Sequence, residues 1–279
     1  MVHNYHNSHR SPRTFYKLGR NGQLVPVTAP GALGLMGYEL EVGTSRSRHT
    51  REWLSDMVDD IMGDGRLATC ESDGSLGSVE GFEIISQPAT LAAHLSEAFK
   101  LDELLTKLDS EGATSHNTSC CGLHVHYNRG ALGQSEQARD MACAKLLVLM
   151  DKFEEQLKTL ARRDYTRNGY CAKFSGFNAT GENSTSKLLT KFKPCKESGD
   201  RYHSLNLTNP GTIEFRIFRG TLKPLALKAT LELCDTMVQF CKTRTTPQVQ
   251  ACTWDELLDT CTYPELRAYW TERQGKAVA

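Results

Sequence analysis

Ionisable side chains occupy alternate positions in three short runs of the chain: GYELEVG (37–43), GLHVHYN (122–128) and TIEFRIFR (212–219). Successive side chains of a β-strand point to opposite faces, so each run would place an ionisable pair on one face and apolar residues on the other. The pairs are Glu39 with Glu41, His124 with His126, and Glu214 with Arg216. Carboxylates and imidazoles are common ligands of divalent cations, so this pattern predicts a metal-lined active-site sheet.

An ordinary solvated strand face would explain any one of these runs taken alone. Solvated faces usually carry Thr, Lys, Ser and mixed charges, whereas these runs carry acid-x-acid, His-x-His and acid-x-Arg patterns. If the strands are neighbours, like charges about 7 Å apart repel by about 2 kcal/mol per pair at an effective dielectric constant near 20. A bound divalent cation would reverse the sign of that interaction, so the three runs together favour a metal site.

Composition restricts the classes of partner. The chain has 279 residues, of which 39% are hydrophobic and 24% charged, and its formal net charge is zero. This is typical of a globular protein with a sizeable core. Without a basic excess to drive counterion release, nucleic acid is excluded as the main partner. No apolar run approaches the roughly 18 residues of a membrane span, so we predict no membrane partner.

The N-terminus and the cysteines indicate a cytoplasmic location. The first residues, MVHNYHNSHRSPR, are polar and lack the apolar segment of a secretory signal. None of the ten cysteines forms a CxxC motif, and several fall on apolar helical stripes. We therefore expect reduced cysteines that act as small buried hydrophobic residues.

Turn residues and periodicity divide the chain into a flexible polar tail, residues 1–34, and a domain, residues 35–279. Predicted strands are Leu35–Val42, Phe82–Ser86, Gly122–Asn128, Tyr202–Leu207 and Ile213–Phe218. Predicted helices are Thr50–Met62, Leu91–Leu108, Ser135–Leu160, Leu225–Lys242 and Trp254–Trp270. The hairpin signal Asn209-Pro210-Gly211 favours an α+β fold with a largely antiparallel sheet and flanking helices. Neither a GxxxxGK[ST] nor a GxGxxG phosphate-binding motif is present.

A basic, aromatic segment follows the fourth predicted helix, from Arg162 to Tyr202, and we interpret it as a loop region. Its cations Arg162, Arg163, Arg167 and Lys173 are candidates for binding an anionic ligand, because the chain then returns to the strand that carries Glu214. A charged, solvated surface is the alternative explanation of the same residues.

Five motifs carry a resemblance to a known family. They are GYELE (37–41), DGS (73–75) with EIISQP (83–88), GLHVH (122–126), RRDYxRxGYC (162–171) and NLTNPGTIEFRIFRGTL (206–222). Each motif is unspecific alone, but in this order they resemble the amidoligase family. That family consists of carboxylate-amine ligases related to glutamine synthetase and glutamate-cysteine ligase. The resemblance spans about Leu35–Lys242 and leaves the N-terminal tail and roughly the last 35 residues outside it.

The resemblance implies a glutamine synthetase-like curved sheet that holds ATP and magnesium, with residues 35–279 as the catalytic domain. By similarity, the metal ligands would be Glu39, Glu41, Glu83, His124 and Glu214. Manganese is an alternative ion, because imidazole is a less typical magnesium ligand. The expected ATP-binding residues are Arg162, Arg163, Arg167, Lys173, Arg216 and His126. The expected catalytic residues are Glu41, Glu83, Arg163 and Arg216, and Asp73 and Glu80 are further candidates as ligands or as a base.

The implied reaction is ATP-dependent formation of an amide or peptide-like bond between a small-molecule or peptide carboxylate and an amine. ATP would phosphorylate the carboxylate to an acyl phosphate, and the amine would then displace phosphate. Two other functions stay open for the same residues. One is a different metal-dependent phosphotransferase or hydrolase, and the other is a non-catalytic module that holds a cation.

Overall fold

The structure of the protein is a computed structural model, which describes residues 2, 14–29, 31–116, 118, 120–167, 171–174, 177 and 185–276. The chain divides into two compact units. One comprises residues 1–30, 35–125 and 219–228, and the other comprises residues 31–34, 126–218 and 229–279. We refer to the described residues of these ranges as the first unit and the second unit.

The first unit combines strands with three complete helices and the first residues, 224–228, of a fourth. Its strands are β1 (Phe15–Leu18), β2 (Leu24–Val27), β3 (Leu35–Val42), β4 (Ala68–Glu71), β5 (Phe82–Ser86), β6 (Ala89–Thr90) and the first four residues of β7 (Gly122–Asn128). Its helices are α1 (Arg51–Met62), α2 (Leu91–Leu95) and α3 (Leu101–Ser110), with 3₁₀ helices at Gly74–Val79 and Glu97–Phe99. Strand β1 runs parallel to β6, whereas β1–β2, β3–β5, β3–β6 and β4–β5 are antiparallel. This mixture confirms the predicted α+β class with a largely antiparallel sheet.

Strand β3 has the predicted ends, Leu35 and Val42. Its apolar residues Tyr38, Leu40 and Val42 are buried, as the alternating pattern predicts. The strand pairs with β6 at its start and with β5 from Glu39 onward. Glu39 and Glu41 are thus carried by a strand that is paired along its length and anchored in the core by the opposite face.

Helix α1 also forms where the sequence predicts it. The Thr50 hydroxyl accepts a hydrogen bond from the Trp53 N–H (3.2 Å), which satisfies one of the donors left open at a helix start. Gly63 ends the helix with a left-handed φ of 74°, a conformation that costs glycine little. The buried stripe Leu54, Val58 and Met62 packs the helix against β4 and α3.

The segment predicted as a flexible tail contains regular structure. Strands β1 and β2 pair antiparallel from Phe15 opposite Val27 to Leu18 opposite Leu24. The turn is closed by a hydrogen bond from the Gly19 N–H to the Gln23 carbonyl (2.8 Å). Each strand has four residues, too few to show a clear period of two in the sequence.

The predicted helix Leu91–Leu108 is interrupted. Helix α2 ends at Leu95, a 3₁₀ helix covers Glu97–Phe99, and α3 begins at Leu101. The interruption lies at Lys100, which has a left-handed φ of 58°. Lysine has no special preference for that conformation, so the sequence gives no sign of it.

The second unit is mainly helical. Its helices are α4 (Glu136–Lys152), α5 (Glu154–Ala161), α6 (Thr185–Glu197), α7 (Pro224–Thr243) from residue 229 onward, α8 (Thr246–Ala251), α9 (Trp254–Leu258) and α10 (Glu265–Arg273). Short 3₁₀ helices lie at Arg129–Leu132 and Tyr165–Arg167. Its strands are the last three residues of β7, the strand β8 (Leu205–Asn206), and β9 (Thr212–Arg219) up to residue 218. Strands β8 and β9 pair antiparallel, as the predicted hairpin requires.

Three predictions about the helices of this unit needed correction, and the predicted strand Tyr202–Leu207 is shortened to Leu205–Asn206. The predicted helix Ser135–Leu160 is two helices, because Phe153 leaves the helical conformation between α4 and α5. The predicted helix Trp254–Trp270 is also two, and α10 begins directly after Pro264. Helix α6 forms inside the segment expected to be a loop, where Leu188 and Phe192, four residues apart, are buried and the helix packs against α4.

All ten cysteines are free thiols, and seven of them are buried. This confirms the expectation that most of the cysteines are buried. Within the part of the chain that the structure describes, no helix is both long enough and apolar enough to cross a membrane.

Candidate functional site

Three buried glutamates lie side by side across strands β3, β5 and β4 of the first unit. Glu41 is directly opposite Glu83, and Glu83 is directly opposite Glu71. Directly opposed residues of antiparallel strands project to the same face, so the three carboxylates share one face. Their exposed fractions are 6%, 3% and 5%. We call Glu41, Glu83 and Glu71 the acidic row.

Two further side chains that could bind a cation, those of Glu39 and His124, lie beside the acidic row. Glu39 lies two residues before Glu41 on the same face of β3, and its Oε2 is 3.4 Å from Nδ1 of His124. One ligand atom each from Glu39, Glu83 and His124 lie within 4.8 Å of one another, and the same holds for Glu41, Asp73 and Glu83. The structure thus brings together the four predicted metal ligands that belong to the first unit.

Gly122 helps to shape this site. Its backbone N–H donates a hydrogen bond to Oε2 of Glu41, which fixes that carboxylate. A Cβ at position 122 would lie 3.2 Å from Nε2 of His124 and 3.3 Å from Oε2 of Glu41, closer than side-chain atoms usually approach. Glycine at the start of β7 therefore leaves both ligand groups in place.

The neighbouring residues Asp73 and Cys121 have identifiable local roles. The Asp73 carboxylate accepts a hydrogen bond from the Ser75 N–H (2.8 Å) and caps the 3₁₀ helix Gly74–Val79, while it also belongs to one of the ligand groups above. Burial raises the pKa of the Cys121 thiol to about 12, and the Glu41 charge acts in the same direction. Cys121 thus stays a neutral thiol near the acidic row.

The second unit holds a different kind of carboxylate. Glu214 of β9 is 5% exposed and forms an ion pair through Oε1 with Nη1 of Arg216, two residues along the strand. Its other oxygen, Oε2, accepts a hydrogen bond from Nδ2 of Asn206 on β8 (2.6 Å). Both predicted residues of this strand therefore share one face, as the alternation indicates.

Two arginines of the second unit approach the same buried thiol. Burial raises the pKa of Cys171, while the guanidinium groups of Arg163, which hydrogen-bonds the thiol, and Arg216 act in the opposite direction. Arg163 and Arg216 come from distant parts of the chain, so the fold collects positive charge here. Two guanidinium groups at one place can bind a phosphate or carboxylate through paired hydrogen bonds.

The other predicted anion-binding residues have separate surroundings. Nζ of Lys173 is bonded to the carboxylates of Asp151 (3.1 Å) and Glu154, so its charge is already balanced. Arg162 ends α5 with a left-handed φ of 57°. It lies near Tyr269, where burial raises the pKa of the tyrosine and the Arg162 charge reduces that rise. Nδ1 of His126 lies 3.4 Å from the Thr212 hydroxyl oxygen. The side chain of Arg167 lies outside the described residues.

Sequence reasoning missed Glu71 and Asn206. Glu71 is the last residue of a short strand, ATCE, in which no repeated acid-x-acid pattern marks one face. Its place beside Glu83 depends on the register of β4 against β5, which sequence spacing alone does not fix. Asn206 lies on a two-residue strand, too short to show alternation.

The donors of the first unit fit a hard divalent cation. The carboxylate oxygens of Glu41, Asp73 and Glu83 lie within 4.8 Å of one another, and at such a distance two charges repel by about 3 kcal/mol or more at an effective dielectric constant near 20. Oxygen donors with one imidazole suit magnesium or manganese, and a bound ion would offset the repulsion.

Comparisons with known proteins identify the family of this chain. A sequence profile of the family described as "Putative amidoligase enzyme" matches residues 41–238, which is most of the chain. Among solved structures, the protein is similar to one titled "Apo GmaS without ligand", with 12% identity, a TM-score of 0.49, and coverage of 87% of this chain and 68% of that one. No curated protein sequence matches the chain.

Proposed function

We propose that this chain, which belongs to the amidoligase family, is an ATP-dependent ligase that joins a carboxylate to an amine. The family gives the class of reaction. The acidic row supports the proposal that a divalent cation takes part, because three buried carboxylates lie side by side on one face of the sheet there. We further propose a cytoplasmic location, where thiols such as the ten in this chain stay reduced.

The cation would be magnesium, with manganese as the alternative. In the first unit, Glu39, Glu41, Glu83 and His124 would hold it, and Glu71, directly opposite Glu83, is a fifth proposed ligand. In the second unit, Glu214 is the proposed ligand. When bound, a divalent cation neutralises the negative charge of the phosphoryl group that is transferred.

Arg163 and Arg216 are the proposed phosphate-binding residues. Their guanidinium groups approach the same thiol, and Nε of Arg216 is buried without a hydrogen-bond partner among the residues that the structure describes. A buried N–H without an acceptor is costly, and a phosphate oxygen would satisfy it. Arg162, Arg167, Lys173 and His126 stay predicted contacts of ATP.

The proposed reaction has two steps. A carboxylate is a poor acyl donor, so one of its oxygens attacks the γ-phosphorus of ATP, and ADP leaves. The nitrogen of the amine then attacks the carbonyl carbon of the acyl phosphate, and phosphate leaves with that oxygen. The amine must lose a proton before or during the attack, and Asp73, which groups with Glu41 and Glu83, is the proposed acceptor.

The test is a coupled screen of ATP consumption. Purified protein with ATP and magnesium is given sets of amino acids and dipeptides as carboxylates and amines, and ADP and product masses are measured. We expect ADP formation that requires both substrates, and transfer of one ¹⁸O from an ¹⁸O-labelled carboxylate to phosphate. ATP hydrolysis that needs no amine would indicate a hydrolase, and transfer of phosphate to a stable acceptor would indicate a phosphotransferase. Protein that forms no ADP with any set and binds no ATP analogue in a calorimetric titration would indicate a cation-holding module.

A further inference from the structure

A cavity of about 400 Å³ lies in the second unit, between helix α4, the end of helix α7 and the chain that follows strand β7. We call it the α4–α7 cavity. Its volume is within the range of sites that bind small molecules. Exposed residues such as Gln134 and Ala138 form its rim, so it opens to solvent. None of the residues that line it belongs to the candidate site predicted from the sequence.

The α4–α7 cavity carries positive charge. Lys145 of α4 and Lys242 of α7 line it, and among the described residues no acidic side chain does so. Lys145 is 7% exposed, whereas Lys242 lies at the exposed rim. Neither ammonium group forms an ion pair with a residue whose position the structure describes. A buried charge without a counter-charge is costly, so the cavity favours an anion.

Lys145 makes one hydrogen bond within the described part of the chain. Its Nζ donates to the Arg244 carbonyl (2.7 Å), which lies just after the end of α7. A helix end carries only partial negative charge, and an ammonium group has three N–H donors. Burial lowers the pKa of Lys145, so the surroundings disfavour its charged form. The carbonyl therefore offsets only part of the cost of burying this charge.

The buried wall of the cavity around Lys145 is apolar. Ala131, Leu132 and Ala142 are each 3% exposed, and Cys241 is fully buried. Burial raises the pKa of the Cys241 thiol, which therefore adds no negative charge. Such a wall can contact the hydrocarbon part of a ligand, and its contribution to binding grows with the apolar surface that is buried.

We propose that the α4–α7 cavity binds a small organic carboxylate with an apolar chain. The carboxylate accepts hydrogen bonds from the Lys145 ammonium group, and the chain contacts the wall of Ala131, Leu132 and Ala142. The exposed charge of Lys242 attracts the anion to the cavity. A monoanion matches the single buried charge, whereas phosphate is typically held by several donors, such as guanidinium groups or backbone N–H groups.

The test is a ligand-observed NMR titration of the purified protein with hexanoate. Acetate, hexanamide and inorganic phosphate are the comparison ligands. We expect hexanoate to bind, and each methylene group beyond acetate to strengthen binding by up to about fourfold. Hexanamide has nearly the same shape but no charge to pair with Lys145, so it should bind about tenfold or more weakly.

Lys145→Met tests the buried charge, because methionine keeps an apolar, unbranched side chain and removes the ammonium group. Its matched control is Lys152→Met. Lys152 lies further along α4, does not line the cavity, and likewise donates through Nζ to a backbone carbonyl, that of Gln250. We expect Lys145→Met to bind hexanoate about tenfold or more weakly than wild type, and Lys152→Met to bind it equally well.

Lys242→Glu is a second variant that changes no buried position. Reversal of the charge at the rim should weaken hexanoate binding about threefold to tenfold at low salt, and less at high salt. Lys276→Glu, at another exposed lysine of the same unit, is its control and should leave the affinity unchanged. This pair decides the outcome if Lys145→Met does not fold.

The proposal is wrong if wild-type protein does not bind hexanoate, or if Lys145→Met and Lys242→Glu bind it as well as wild type. Equal affinity for hexanamide and hexanoate would show an apolar pocket without anion recognition, and higher affinity for phosphate than for hexanoate would show a phosphate site. Either result would also contradict the proposal. The ligase proposal would stand in each case, because it concerns residues that do not line this cavity.

Discussion

Glu83 of the first unit and Glu214 of the second are both buried carboxylates on antiparallel strands, but their opposed residues differ. Glu83 has Glu41 on one side and Glu71 on the other. Glu214 has Asn206 opposite it and Arg216 on its own strand, and both donate to it. The first arrangement places negative charges together, whereas the second balances one negative charge with donors.

The two regions should therefore respond oppositely to neutralisation of their carboxylates. In the acidic row, removal of a charge relieves repulsion, and a cation provides the balancing charge. At Glu214, removal of a partner leaves a buried charge without compensation. The following predictions test this contrast, in order of decreasing effect.

The largest effect is expected from Arg216→Ala. Loss of a buried ion-pair partner typically costs about 3 to 5 kcal/mol, because the remaining carboxylate stays buried and uncompensated. Urea unfolding should show a loss of this size, whereas Arg216→Lys should retain part of the stability but bind phosphate poorly, because an ammonium lacks the fork geometry. Equal stability of Arg216→Ala and wild type would contradict the described role of the pair.

The second largest loss of folding stability is expected from protonation of His94, in the core of the first unit. Burial lowers its pKa to about 4, while Nε2 donates to the Met36 carbonyl (2.8 Å). The folded-state pKa lies below the unfolded value of about 6.5, so the stabilisation is complete above pH 6.5 and is lost as the pH falls toward 4. A shift of this size corresponds to about 3 kcal/mol.

Unfolding free energy measured between pH 7.5 and pH 4 checks this prediction. His94→Gln should lower the stability at pH 7.5 but flatten the decline below pH 6.5. An unchanged slope in the variant would show that other groups cause the acid sensitivity.

A gain of about 1 to 3 kcal/mol is expected from Glu83→Gln without divalent ions, because Glu83 is the middle member of the acidic row. The same variant should lose the stabilisation that magnesium gives the wild-type protein. Glu214→Gln should instead be destabilising without ions. Melting curves with EDTA and with magnesium measure both, and destabilisation by Glu83→Gln in EDTA would contradict the account of the acidic row.

The smallest effect is expected from Glu111→Gln. Hydrogen bonds from Lys107 (2.6 Å), Arg48 (3.1 Å) and His49 (2.9 Å) hold the pKa of Glu111 at about 2. Since this lies below the unfolded value, the contribution is present above about pH 4.5 and is lost as the pH falls toward 2. Added salt should also reduce the difference between variant and wild type. A difference that persists at pH 2 and high salt would mean that it does not arise from charge.

The elements that the sequence predicts correctly are those in which one hydrophobic periodicity extends over several residues. Strands β3, β5 and β7 have the predicted bounds, because alternation over five to eight residues identifies both the strand and its buried face. The breaks at Lys100 and Phe153 were missed, because the apolar pattern continues through a local change of backbone that neither residue type signals.

The sequence predicts which residues of one strand share a face of the candidate site. It does not predict which residues of neighbouring strands lie opposite one another. Sequence spacing puts Glu39 and Glu41 on one face, and Glu214 and Arg216 on another, and the contacts of these residues agree. Glu71 and Asn206 depend on which residue of a neighbouring strand lies opposite, and that register is set by packing of the whole sheet. The site-residue roles themselves stay predictions.

The most direct test of magnesium-dependent nucleotide binding at the acidic row is calorimetric titration with a non-hydrolysable ATP analogue, with and without magnesium. The wild-type protein is compared with Glu83→Gln and with Glu111→Gln, a variant of the same unit outside the candidate site. We expect magnesium-dependent binding by wild type and Glu111→Gln, and its loss in Glu83→Gln. Folded wild-type protein that binds no analogue under either condition, or Glu83→Gln protein that binds it as well as wild type, would contradict the account.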